Sequence, residues 1–565
     1  MKLRLALLWH MHQPLYKSGD DYLLPWTRLH ATKDYLDTAR ALEKFPDIKA
    51  TINLVPSLLL QLKEYASGNV DDRILHLTRT PAFLLTAEEK VEIVKGFFQC
   101  NVQQMILPYP RYAELYRRLG KSEEEPSIET IELFSQQDWL DLQVWYLLTW
   151  VGPYAREENP FFTSLIEKGS GFFEREKLRL IDATLELIGK IIPLWKKLRT
   201  SEQVELSVSP FYHPILPLLI DLASARESIP NEPLPNAKSG WEKDALLQIA
   251  GGVKYFANEF QNLPRGMWPS EGSISEKTLE LIRSEGIEWI ASDETVLMNS
   301  LQKSSQSEAK LLLHCFPWTF KTESGDIHLF FRDHDLSDRV GFLYASWDAE
   351  DAANDFIQGI LERRSQLIEE FGDSILDEAV LPVILDGENC WEYYEENGKP
   401  FLEALYRKLS ESDEIETVTF SQVVEQIDAT RERVLSNLQA GSWIGGNFRI
   451  WIGEPEENQA WEALAQTREA LMEGRENIPS EKFFAAYEEL LIAEGSDWFW
   501  WYGDENTTVN DPLFDQLFRE HLQNVYRLIE KEVPTSLYEP ICHYSGKRKH
   551  GGAMHRAEFN GVGSQ

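Results

Sequence analysis

The sequence predicts an α/β protein, most simply a barrel of alternating strands and helices, followed by a helical domain. Three observations predict it. The chain has 565 residues, room for about three or four domains, or for one large barrel with additions. Short apolar runs recur, each followed by polar or helix-forming residues. Beyond about residue 436 such runs stop and amphipathic patterns take over.

The runs lie at residues 3–9, 50–54, 204–208, 289–291, 328–331, 380–385 and 417–420. Continuous apolar runs suit strands buried on both faces, as in a parallel sheet. Between them, Pro400 opens the pattern 400–409, with Pro at a first helical turn and apolar residues at helical spacing. Residues 85–200 are rich in helix formers and read as a helical insertion, because so long a structureless loop would be unusual. Residues 458–473 and 480–493 read as amphipathic helices. The expected division is a barrel over 1–435, a helical domain over 436–540 and an atypical basic, disordered tail over 541–565. That tail carries Lys547, Arg548, Lys549 and Arg556 against Glu558 alone.

Composition excludes several functions. The formal net charge is −36, a field that repels nucleic acid and anionic membranes, so neither is an expected partner. A hydrophobic fraction of 43% argues against a disordered acidic chain. Cys100, Cys315, Cys390 and Cys542 lie far apart and form no Cys-x-x-Cys pair, which suggests neither a zinc ribbon nor a disulfide framework. The first apolar run breaks at His10 with no small-residue cleavage site, so it reads as a strand and not as a signal peptide. No run reaches the roughly 18 apolar residues of a membrane span. A soluble, cytoplasmic protein is expected; the sequence leaves its oligomeric state open.

Four segments carry candidate chemistry. Trp9-His10-Met11-His12-Gln13-Pro14 follows the first strand, where barrel enzymes place catalytic groups. His10 and His12 project to one side of a strand. They read as a metal pair, as hydrogen-bonding contacts to a polar substrate, or as a structural turn before Pro14. In Glu205-Leu206-Ser207-Val208-Ser209-Pro210-Phe211-Tyr212-His213-Pro214, a carboxylate sits inside an apolar run. Burying it unpaired would be costly, which implies a partner, a site, or an exposed strand position. His213 is placed to reach the same mouth.

Gly266-Met267-Trp268-Pro269-Ser270-Glu271-Gly272-Ser273 puts Glu271 at a strand end beside an indole, whose apolar face suits a sugar ring. The plainer reading makes Glu271 the N-terminal charge of a helix over 273–282. Val383-Ile384-Leu385-Asp386-Gly387-Glu388-Asn389-Cys390-Trp391 runs a strand straight into carboxylates. Asp386 is a general-acid candidate; the alternative is an Asp-Gly turn. Further polar clusters lie at 331–338, 451–461 and 498–506. The Trp-rich ones read as core or as a carbohydrate surface.

In order along the chain, His-Gln-Pro at 12–14, Glu205 with Ser-Pro-Phe-Tyr-His-Pro, Trp-Pro-Ser-Glu at 268–271, Asp-Gly-Glu-Asn at 386–389 and the Trp/Asn segment at 443–461 resemble glycoside hydrolase family 57. Within that family the chain most resembles the amylopullulanase-type enzymes of α-glucans. The resemblance implies a (β/α)7 barrel and a helical domain closing over the site. It implies Glu271 as nucleophile and Asp386 as general acid/base of a retaining double displacement, with no metal or other cofactor in the chemistry. His10, His12, Glu205 and His213 would line the subsite of the cleaved sugar. Gln13, Trp268, Glu388, Trp391, Trp443, Asn447, Trp451 and Trp461 complete the expected substrate-binding set. The expected partner is an α-glucan polysaccharide or oligosaccharide. Two other readings stay open: a metal-dependent barrel hydrolase such as a polysaccharide deacetylase using His10 and His12, and a non-catalytic glucan-binding protein.

Overall fold

A computed structural model describes residues 1–119, 131–303, 312–428 and 430–543. Most of the basic tail expected over 541–565, residues 544–565, lies outside the described residues. The chain separates into two compact units, each made of two stretches of sequence. One is Met1–Ser207 with Arg332–Ile427, the other Val208–Phe331 with Asp428–Gln565.

The first unit is built on the strand Leu3–Met11, all nine of whose residues are buried. It pairs in parallel with Val380–Asp386, with Ala50–Leu54 and, at its start, with Ile415–Val418. Each Leu or Val so buried contributes about 1.5–3 kcal/mol, and burial on both faces explains the unbroken apolar runs. Among the described residues, helices follow one another from Pro56–Ser67 to Glu174–Thr200. Thr86 opens Ala87–Gly96 with a capping box closed by Glu89, the Thr-x-x-Glu pattern satisfying two backbone donors at once. The longest helix, Glu174–Thr200, returns the chain to the strand Val204–Val208. Trp26–His30 and Leu36–Lys44 are joined by a wider π-helical turn, Ala31–Tyr35, a device frequent near functional sites.

In the second unit Val208 pairs with Met267, and Gly266–Met267 pairs in parallel with Trp289–Asp293. Gly266 is required there: a Cβ would lie 1.9 Å from the Trp289 ring. Trp318–Thr322 and Gly325–Arg332 form an antiparallel hairpin. The sequence reading found the second of these strands and missed the first, whose run is shorter and more polar.

The helices Pro455–Gly474, Ser480–Ala493 and Asp511–Leu528 bear out the helical pattern of the C-terminal region. Trp461 stacks on Phe499 at 4.3 Å and donates its indole N–H to the Trp451 carbonyl over 2.9 Å. Ile541 and Cys542 are buried, and the Ile541 N–H donates to Asp515 Oδ1 over 3.0 Å. Among the described residues no helix is long and apolar enough to cross a membrane.

Candidate functional site

Each unit brings some of the expected residues together. In the first, parallel pairing sets His10 beside Asp386 on one flank and Asn53 on the other. The Gly387 N–H donates to the His10 carbonyl over 2.7 Å. A Cβ on Gly387 would approach Met11 Cε to 2.9 Å, so glycine lets the strand end close. Asp386 ends its strand and Asn389 Nδ2 donates to its Oδ2 over 2.7 Å. The chain continues into the helical turn Trp391–Tyr393, with no matching strand, so the Asp-Gly hairpin reading does not apply.

The His10 and His12 rings stack at 5.7 Å. His10 Nδ1 lies 2.7 Å from Asn53 Oδ1, while Asn53 Nδ2 donates to Ser207 Oγ over 3.2 Å. Asn53 Oδ1 faces the ring and only accepts, so His10 carries its proton on Nδ1, leaving Nε2 an acceptor. Burial, and then the neighbouring His12, push the imidazole down to about 3, so it is neutral at physiological pH.

Gln13 accepts from Tyr16 Oη over 2.8 Å, and the His12 carbonyl accepts from Tyr35 Oη over 3.1 Å. Glu388 is buried; burial first, and its charge next, raise the Tyr35 phenol. Trp391 is wholly buried against Trp9, and its indole N–H donates to the Gly387 carbonyl over 2.9 Å. It fixes the loop after Asp386 from behind and offers no open face for stacking.

Glu205 finds a partner within its own unit. It sits at the amino end of Val204–Val208, and its carboxylate accepts from Ser421 N over 2.9 Å and from Ser421 Oγ. It therefore tethers the start of the helix Phe420–Val424. The partner that its cost of burial demanded is structural.

In the second unit Glu271 occupies the turn Ser270–Gly272, with φ +58°. The next helix, Glu276–Ser284, starts later and is capped by Ser275, which removes the helix-charge reading of Glu271. Trp443 Nε1 donates to Glu271 Oε2 over 2.9 Å, and Ser496 Oγ lies 3.2 Å from Oε1. His213, also at φ +58°, lies with Nδ1 3.1 Å from Ser496 Oγ and 3.7 Å from Glu271 Oε1. Left-handed backbone at two non-glycine residues costs energy that the surrounding bonds must hold. Trp268 is fully buried, edge to face with Trp443 at 5.2 Å.

The other expected walls lie elsewhere in this unit. Trp451 and Trp461 are core, with no exposed ring face. Asn447 spends its side chain on its own turn, donating to the Gly445 carbonyl and accepting from the Arg449 N–H. Sequence reasoning missed Asn53 and Ser496. Asn53 carried the same signal as Glu205, a polar group inside an apolar strand. Ser496 precedes the aromatic run 498–502, but nothing local marks its hydroxyl.

A family model described as Glycosyl hydrolase family 57 matches residues 6–436. No curated protein matches the chain in sequence. Among solved structures, an α-amylase from Thermotoga maritima is similar over 94% of this chain and 93% of its own, with TM-score 0.57 and 15% identity. A branching enzyme of the same family from Thermococcus kodakaraensis, solved with glucose, is similar over 99% and 100%, with TM-score 0.57 and 15% identity. A 4-α-glucanotransferase from Thermococcus litoralis is similar over 93% of this chain and 60% of its own, with TM-score 0.51 and 15% identity. At such identities the likeness is one of fold: the incomplete α/β barrel with a helical C-terminal region that the sequence predicts.

Proposed function

The chain belongs to glycosyl hydrolase family 57, and from that premise we propose that it cleaves or transfers α-glucan chains with retention of configuration. The observation that carries the proposal is the hold on Glu271, whose carboxylate oxygens accept from Trp443 and Ser496 respectively. A carboxylate fixed in this way is prepared for in-line attack, because its orientation is set before substrate arrives.

In the proposed reaction Glu271 attacks the anomeric carbon while Asp386 protonates the departing glycosidic oxygen. Water or an acceptor sugar then resolves the glycosyl-enzyme, with Asp386 as base. The neutral His10, with Nε2 as acceptor, suits a sugar hydroxyl donor. A charge of −36 does not oppose a neutral polymer. The α-glucan activities printed in the names of the fold relatives support that substrate class. Family membership favours sugar contacts over a metal pair for His10 and His12. Residues 436–540 supply two donors to Glu271, Trp443 and Ser496, which supports a part for the helical region in the site.

The test incubates the protein with maltooligosaccharides, amylose and pullulan beside Glu271→Gln and Asp386→Asn. Wild-type products with α configuration, lost in both variants, are expected. Products that persist in both variants would sink the assignment, and the product pattern separates hydrolysis, transfer and branching.

A further inference from the structure

We propose that Ser496 is a positioning residue, the middle of a hydrogen-bonded chain from His213 Nδ1 through Ser496 Oγ to Glu271 Oε1 that fixes the attacking carboxylate. The inference rests on the nucleophile reading of Glu271 and goes beyond it by assigning what aims that group.

An ionised carboxylate only accepts hydrogen bonds, so at 3.2 Å the serine hydroxyl donates to Oε1. Its oxygen is then the acceptor for His213 Nδ1–H at 3.1 Å. The direct approach from Nδ1 to Oε1, 3.7 Å, is too long for a good bond, so the serine bridges it. This direction of donation fixes the tautomer of His213 as well as the plane of Glu271. Trp443 secures the other oxygen.

Ser496 is itself held rigidly. Its N–H donates to the His213 carbonyl over 2.9 Å, and Gly495 forms an antiparallel bridge with Pro214. A Cβ on Gly495 would come within 2.8 Å of the Tyr212 carbonyl oxygen, so only glycine permits that approach. Gln248 ties the two loops together: its Oε1 accepts from the Tyr212 N–H, and its Nε2 donates to the Leu491 carbonyl and to Glu494 Oε2. Backbone anchoring of this kind would suffice for a serine that only packs. Its hydroxyl instead points at a carboxylate whose own backbone is held in a left-handed turn, and such turns gather at working sites.

The experiment titrates Glu271 without substrate, by infrared difference spectra against Glu271→Gln, in wild type, Ser496→Cys and Ser496→Ala. A donor to the charged form holds a carboxyl down, so its removal raises the midpoint. The midpoint is expected to rise by about one pH unit in Ser496→Ala and by less in Ser496→Cys, whose thiol is a weak donor. With glucan as substrate, kcat is expected to fall about tenfold with KM little changed. Equal midpoints in all three proteins at matched Tm overturn the proposal; if the alanine variant does not fold, an unmoved midpoint in Ser496→Cys overturns it. A wild type inactive on glucans defeats the functional reading and leaves the infrared comparison to decide the role of Ser496.

Discussion

Trp443 donates its indole N–H to Glu271 Oε2 over 2.9 Å while standing edge to face with Trp268. The family resemblance suggested Trp443 as a wall for a sugar ring; the geometry makes it a donor to Glu271, the proposed nucleophile. Trp443→Phe keeps an aromatic ring and deletes the bond. A hydrogen bond to a charged group contributes about 1.5–3 kcal/mol, so kcat on α-glucan is expected to fall roughly 10- to 100-fold. A fall in Tm matching the lost activity, or a rise in KM alone, would assign Trp443 to packing or to substrate instead.

His10 is expected to stay neutral across the working range, because burial and His12 hold it down to about 3. In nitrogen-edited NMR it should show the Nδ1–H tautomer and no titration between pH 5 and 8. Asn53→Asp puts a negative charge where the amide oxygen now accepts over 2.7 Å. That charge favours the imidazolium and moves the titration upward. Since a charged ring presents Nε2 as a donor, the variant should lose affinity for sugar, read as a rise in KM. A His10 that titrates near 6.5 in wild type would refute the buried neutral ring.

Patterning alone revealed much of this. The strand Leu3–Met11 was legible because burial on both faces writes an unbroken apolar run. Asp386 was legible because a strand emptying into Asp-Gly-Glu-Asn sets a carboxylate at a strand end. Trp391, Trp451 and Trp461 looked like sugar platforms because sequence shows that an indole is near polar residues and not which way its face points. Glu205 was rightly marked as needing a partner, but Ser421 lies 216 positions away, beyond any local pattern. Ser496 was invisible for the same reason: its meaning lies in Glu271, 225 positions earlier.

Glu494 is buried and held well above the usual carboxylate range, by desolvation first and by Asp244 next. It is therefore protonated in the fold and ionises on unfolding once the pH exceeds about 4.3. Stability from this group is complete below that value and is lost as pH rises through the raised native value. Glu494→Gln mimics the protonated form and can still accept from Gln248 Nε2, now at 2.9 Å. Thermal unfolding should show nearly equal Tm for the two proteins near pH 4.5 and a growing advantage for the variant toward pH 8.5. An advantage that shrinks as pH rises would contradict the buried protonated acid.

Glu205 and Ser421 make the last case, because two readings of one carboxylate predict opposite data. Its oxygens accept from both the N–H and the hydroxyl of Ser421, at the start of Phe420–Val424. Glu205→Ala removes both bonds and leaves a buried N–H without its acceptor, at about 1–3 kcal/mol. Tm should fall by a few degrees while kcat and KM on α-glucan stay within about twofold of wild type. Glu205→Gln, which keeps an acceptor oxygen, should recover part of the lost Tm. The opposite pattern, a tenfold or larger rise in KM at unchanged Tm, would return Glu205 to the substrate, since a tether to Ser421 has no means of weakening sugar binding while sparing the fold.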